Sequence, residues 1–211
     1  MTGDEKEKYW SRYVSCYDEY TDYIVGRALR QALIGKLKKE RNLGDVIECG
    51  CGTGFFTRAI ARNASDVLAT DLSDEMLDRA KVNLKRFQNI RYKQVDCQNM
   101  LFRPENFDTV LMANVIHAIP DPQKAICESY RILKKEGRLL IVTYTDFGLD
   151  FFEKSVLAMK FLARFGLPPP HGLKNYAPGE LKHFVQAAGY RVEEMELIGD
   201  RPKGLFLKGR K

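Results

Sequence analysis

The sequence predicts an α/β fold, with seven strands in a mostly parallel sheet and helices on both faces. Three observations lead there. An apolar, β-branched run, Val46-Ile47-Glu48-Cys49, turns glycine-rich and then passes into the helical periodicity of Phe55–Ala61. The same strand-then-helix alternation repeats through the middle of the chain, as it does in parallel βαβ units. The last two strand-like runs, Tyr190–Ile198 and Gly204–Arg210, are joined by only five residues, so they form an antiparallel hairpin.

A chain of 211 residues fits a single domain, here with a helical segment at about 1–41 and a helical insertion at about 146–176. No run of eighteen apolar residues occurs, so no membrane span is expected. The polar start, Met1–Lys8, has no apolar signal core. The five cysteines (16, 49, 51, 97 and 127) form no C-x-x-C pair and are odd in number. They read as reduced thiols of a cytoplasmic protein, without a disulfide framework or zinc site. A strand end and a tight turn should aim Cys49 and Cys51 apart, which disfavours a metal there.

The net charge of +6 is unevenly spread, with 11 Lys and Arg against 6 Asp and Glu from residue 151 onward. A basic C-terminal third could serve nucleic acid, anionic lipid or an anionic substrate. The charges form no run, and scattered solvated lysines are the plainer reading.

Taken in order, Tyr9–Arg41 reads as helical, with one helix from Thr21 to Lys39 ending in the basic cluster Lys36, Lys38, Lys39 and Arg41. Tyr9, Tyr13, Tyr17 and Tyr20 fall near one helical face. That stripe either packs the helix onto the body or covers the mouth of a binding site. The glycine turn follows. Gly50, Gly52 and Gly54 allow positive φ and close approach to a ligand, and the next helix opens with free N–H groups.

Asp66–Asp71 reads as a second strand ending in an acid, 21 residues after Gly50. A carboxylate there suits both hydroxyls of a ribose. Ser73 reads as the N-cap of a helix running to about Phe87. Ile90–Val95 alternates as a third strand and leads into Asp96-Cys97-Gln98-Asn99, while Phe107–Asn114 is a central-strand run. Asp121-Pro122 opens a helix through Leu133-Lys134-Lys135, closed by Gly137 before the strand Arg138–Tyr144. Asp150–Phe165 is an apolar-rich helix followed by a proline-rich loop, and Pro178–Ala188 is the last helix. The insertion reads as a functional lid, with a partner or dimer surface as the competing reading and membrane-surface docking as a weaker one.

The turn is G-x-G-x-G, with Phe55 where a dinucleotide site would carry its third glycine. Glu48-x-Gly50-x-Gly52-x-Gly54 resembles the first motif of class I S-adenosylmethionine-dependent methyltransferases. The resemblance extends strongly over 42–145 and moderately over 177–211. It implies a Rossmann-like sheet of order 3-2-1-4-5-7-6 with strand 7 antiparallel. It also implies S-adenosylmethionine as cofactor, with S-adenosylhomocysteine as product.

The implied cofactor residues begin with Glu48, Gly50, Cys51, Gly52, Thr53 and Gly54 of the turn. They continue with Asp71, Leu72 and Met76 after the second strand, then Asp96, Cys97 and Gln98 after the third, and Asn114 and Tyr17. The run Asn114-Val115-Ile116-His117 lacks the N/D-P-P-Y or N/D-P-P-F pattern of enzymes acting on exocyclic base amines. The expected activity is methyl transfer to a small-molecule acceptor gripped between the tyrosine-rich segment and the insertion. Transfer to RNA or protein is the alternative, as is a non-catalytic cofactor-binding protein. His117, Tyr13 and Tyr144 are the candidate catalytic residues, and His171 and Tyr176 are further candidates at the acceptor site. His117 is a general base, a local turn stabiliser or a residue on the adenine side. No nucleic-acid module is recognisable, and the oligomeric state is left open.

Overall fold

The computed structural model describes residues 9–169 and 172–211. One seven-stranded sheet runs in the order β3-β2-β1-β4-β5-β7-β6. Its strands are β1 (Asp45–Cys49), β2 (Asp66–Asp71), β3 (Ile90–Gln94), β4 (Phe107–Ala113), β5 (Leu133–Thr145), β6 (Arg191–Ile198) and β7 (Lys203–Arg210). The first five pair in parallel, and β7 is antiparallel to both β5 and β6. The topology is the predicted one.

The helices, in chain order, are α1 (Tyr17–Val25), α2 (Arg27–Leu37), α3 (Thr57–Ile60), α4 (Asp74–Asn83), α5 (Pro122–Ile132), α6 (Phe151–Phe165) and α7 (Pro178–Ala187). Central strands in such a sheet are buried on both faces, so successive residues feed opposite cores. In β1, Val46 packs with Leu33 and Leu37 of α2 on one side. Its neighbour Ile47 joins Ile126 of α5 and Val185 of α7 on the other. Leu33 and Leu37 are fully buried, which stabilises the α2 contact by about 1.5–3 kcal/mol per side chain. Cys49 and Cys51 fall in different apolar clusters, as expected from their aim. Among the described residues no group of three or more His, Cys, Asp or Glu is arranged to hold a metal.

Four local expectations are corrected. The helix expected over Thr21–Lys39 is two helices, broken at Gly26, whose φ of 89° and ψ of 134° no helix accommodates. The helix expected to run through Lys135 stops at Ile132, and Leu133 already pairs with Phe107 of β4. The helix after Ser73 ends at Asn83, short of Phe87. The predicted helix after the glycine turn is a single α-turn, α3, continued as a 3-10 turn over Ala61–Asn63.

Strands β1, β2 and β4 all point their carboxyl ends at one edge of the sheet, and the site forms there. In open α/β sheets ligands bind beyond these ends.

Candidate functional site

At the end of β1 the backbone enters the left-handed region at Gly50, φ 67°. A Cβ there would lie 2.3 Å from Cγ2 of Val115, so the position accepts glycine alone on steric grounds as well as for its φ. Gly52 donates its N–H to Oδ2 of Asp71 at 2.8 Å, and Ser73 donates its own to Oδ1 at 3.0 Å. The acid ending β2 is thereby held against the turn. Burial raises its pKa, although backbone donors from Ser73, Gly52 and Leu72 oppose that shift. Ser73 caps α4 by accepting from the N–H of Met76 at 3.1 Å, as predicted from its position.

These residues line a cavity of about 110 Å³, together with Leu72, Met76 and the segment after β3. Asp96, Cys97 and Gln98 form that segment's contribution, and Oδ1 of Asp96 accepts the N–H of Gln98 at 2.8 Å. Asn114, just past β4, has a φ of 54°, a conformation asparagine tolerates better than most residues. Its Nδ2 lies 3.5 Å from the Tyr17 hydroxyl, while its buried Oδ1 has no partner. Burial pushes the Tyr17 phenol up to about 12, so it stays neutral.

A second cavity of about 420 Å³ lies between α1, α6 and the end of β5. Its walls are mainly apolar, with Ile24 and Val25 on one side and Leu157, Phe161 and Phe165 on another. Polar groups are few: Thr21, Tyr144, Asn175 and the ion pair Lys154–Asp146 at 3.4 Å. Trp10, Tyr17, Asn114 and His117 line both cavities. His117 is part-buried at the junction of the cavities, and desolvation pushes its imidazole down to about 4. It is therefore neutral at physiological pH. Burial also raises the Tyr144 phenol, whose hydroxyl has no hydrogen-bond partner.

The sequence-predicted residues divide accordingly. Gly50, Gly52, Asp71, Leu72, Met76, Asp96, Cys97, Gln98, Asn114 and Tyr17 meet at the first cavity. Four others do not line it. Cys51 is buried with Leu77 and Ala80 of α4. Gly54 packs on Leu84, and the Thr53 hydroxyl donates to Asp18 at 2.8 Å. Glu48 lies under the turn, 1% exposed, and neither of its oxygens has a hydrogen-bond partner. Burial pushes its carboxyl up to about 8.

Of the catalytic candidates, His117 stands where the cavities meet and Tyr144 lines the second. Tyr13 lines neither, because its hydroxyl donates to the carbonyl of Phe165. Tyr176 is buried against Phe184 instead, and His171 lies outside the described residues.

The tyrosine stripe converges on one ring. Residues 12–16 are turn rather than helix, yet Tyr13, Tyr17 and Tyr20 reach Phe165 with centroids 5.0, 5.8 and 5.6 Å away. Trp10 joins them at 5.7 Å. Trp10 and Ser73 belong to the first cavity although sequence reasoning did not assign them to it. Trp10's place in the aromatic-rich N-terminal segment was the available signal. Nothing in the sequence marked Asp146 or Lys154.

Residues 47–141 match the family model described as a methyltransferase domain. The chain is 34% identical over 159 residues to a demethylmenaquinone methyltransferase of Tropheryma whipplei, covering 73% of this chain and 63% of that protein. It is 26% identical over 162 residues to a ubiquinone biosynthesis O-methyltransferase of Methylococcus capsulatus, covering 74% and 67%. Among solved structures, a SAM-dependent methyltransferase of Thermotoga maritima, described as a possible histamine N-methyltransferase, superposes with a TM-score of 0.73. That match covers 97% of this chain and 99% of the other at 21% identity, and it speaks to the fold.

Proposed function

We propose, from the match of residues 47–141 to the methyltransferase-domain model, that the chain is a class I S-adenosylmethionine-dependent methyltransferase and that it methylates a small-molecule acceptor held in the second cavity. One observation carries this reading. A polar cavity built on the glycine turn and a larger apolar cavity share the walls Trp10, Tyr17, Asn114 and His117. A donor site and an acceptor site that meet at common side chains are what a direct transfer needs.

The residues present suit the cofactor. Asp71 retains free lone pairs for ribose hydroxyls, and Asp96 offers an acceptor for an adenine amino group. The partnerless Oδ1 of Asn114 is a buried acceptor that calls for a donor, such as the ammonium of an amino acid. A volume of about 110 Å³ is below the few hundred Å³ of typical ligand sites.

Bound there, S-adenosylmethionine supplies a methyl carbon on a sulfonium, an electrophile that requires no protein nucleophile. The chain's own contribution is positioning and exclusion of water. The aromatic walls keep the junction dry. His117, neutral and weakly basic, orients an acceptor group through a hydrogen bond and does not store its proton. The acceptor's nucleophile thus arrives already ionised or needs little deprotonation. Two of the relatives are named for demethylmenaquinone and ubiquinone biosynthesis. A flat ring of that kind suits walls formed by Trp10, Tyr17, Phe161 and Phe165.

Calorimetric titration with S-adenosylhomocysteine and with NAD tests the donor half. Incubation with methyl-labelled S-adenosylmethionine and a small-molecule extract tests the acceptor half. Binding of NAD in preference to S-adenosylhomocysteine would overturn the assignment. Label appearing only in RNA or protein would overturn the acceptor class.

A further inference from the structure

The insertion helix α6 has three distinct faces. One, with Leu157, Phe161 and Phe165, lines the second cavity. Another carries Lys160 and Arg164, whose cations lie over the rings of Tyr23 and Tyr20 of α1. The third is apolar and open to solvent. Phe151 is 88% exposed, Phe152 74% and Met159 69%, with Leu162 at 51%. Exposed Phe147 and Leu167 extend the patch at either end of the helix. Large apolar side chains grouped in this way mark an interaction surface.

We propose that this face of α6 docks on an anionic lipid surface. The charge pattern selects that occupant. The helix carries three basic residues and one acid; the acid, Glu153, is already paired with Arg201 and one base, Lys154, with Asp146. Among the described residues Lys160 and Arg164 have no carboxylate partner, and the tyrosine rings beneath them leave their charge un-neutralised beside the apolar face. An apolar face flanked by Lys and Arg, on a helix lying flat, is the pattern of an interfacial helix. A second copy of this chain fits less well, because a two-fold pairing of the same face sets both basic ridges near each other.

The location adds a reason. Leu162 belongs both to the exposed patch and to the cavity wall. A helix seated on lipid therefore brings the cavity's edge to the lipid surface. No helix among the described residues is long and apolar enough to cross a membrane. The contact is peripheral, and each Lys or Arg near the surface strengthens it about fivefold.

Co-sedimentation with vesicles tests the proposal. Wild-type protein is expected to pellet with phosphatidylglycerol-containing vesicles and far less with pure phosphatidylcholine, and to be released by high salt. The variant F151S/F152S/M159S removes apolar groups that line neither cavity, and it should bind the anionic vesicles at least about tenfold more weakly. Its affinity for S-adenosylhomocysteine should match wild type, which certifies the fold and separates this question from the methyltransferase reading. Failure of wild type to bind anionic vesicles would overturn the proposal, as would equal binding by the variant. A wild-type dimer that the same substitutions convert to monomer would assign the face to a second copy instead.

Discussion

Replacing Glu48 with Gln should change how the protein's stability responds to pH. The carboxyl lies under the glycine turn, 1% exposed and without a hydrogen-bond partner. Burial pushes its pKa up to about 8 from an ordinary 4.5. The folded state therefore holds a proton that the unfolded chain has released. Stability from this group is fully present below pH 4.5 and is lost as pH rises through 8. Integrating those two values between pH 5.5 and 7.5 gives a loss on the order of 2 kcal/mol. Glutamine keeps the shape and has no such titration. All other carboxylates are common to both proteins, so the difference between them isolates Glu48. Urea unfolding at the two pH values reads it directly. The gap between variant and wild type should move in the variant's favour by about 2 kcal/mol, or roughly 4–8 °C in melting temperature for a chain of this size. A gap that does not change with pH would refute the assignment of a buried neutral acid.

Three further outcomes follow from the site. Gly50→Ala puts a Cβ 2.3 Å from Val115 at a φ of 67°, costing at least about 1–2 kcal/mol; thermal melts should fall, and calorimetry should show S-adenosylhomocysteine binding lost or greatly weakened. Asp71→Asn keeps the size but removes the charge that accepts from Gly52 and Ser73, so S-adenosylhomocysteine affinity should drop by about 1.5–3 kcal/mol, and unchanged affinity would show that the acid is not a ligand. His117, pushed down to about 4 by burial, adds stability above pH 6.5 that is lost as pH falls through 4. Its imidazole NMR shifts should stay constant from pH 5.5 to 8, and a step near 6.5 would return it to the role of general base.

The sheet was legible because its strands advertise themselves. Leu139-Leu140-Ile141-Val142 is wholly buried, and a strand covered on both faces reads as a continuous apolar run. The short link from β6 to β7 forced an antiparallel pair. The misread boundaries share a cause. Lys134 and Lys135 continue a polar helical pattern, and only the pairing of Leu133 with Phe107 makes them strand. A lone glycine is common inside helices, so Gly26 gave no warning of a break. The first cavity was largely visible because its lining residues sit at strand ends, at fixed distances along the sequence. The second was visible only as two unassigned aromatic segments. Its ion pair joins Asp146 to Lys154 across the start of α6, a contact no local pattern encodes.

Thr53 has a contact that its motif position does not encode. The motif makes it a cofactor residue, yet its hydroxyl binds Oδ2 of Asp18 at 2.8 Å. The other oxygen of Asp18 accepts from Arg30, which is 2% exposed and also bonds Asp22 at 2.7 Å. The guanidinium stacks 3.5 Å from the centroid of Phe55, the residue standing where a dinucleotide site would have glycine. Buried ion pairs add little net stability, because desolvation offsets the attraction. Geometry is what this one fixes. Asp18 follows Tyr17 directly, so the clasp holds the glycine turn, α1 and α2 in one register and sets Tyr17 beside Asn114 where the cavities meet. The turn thus offers its backbone to one ligand site and its side chains to the roof above it. That division accounts for both departures from the dinucleotide pattern, the shortened glycine spacing and the phenylalanine that follows it.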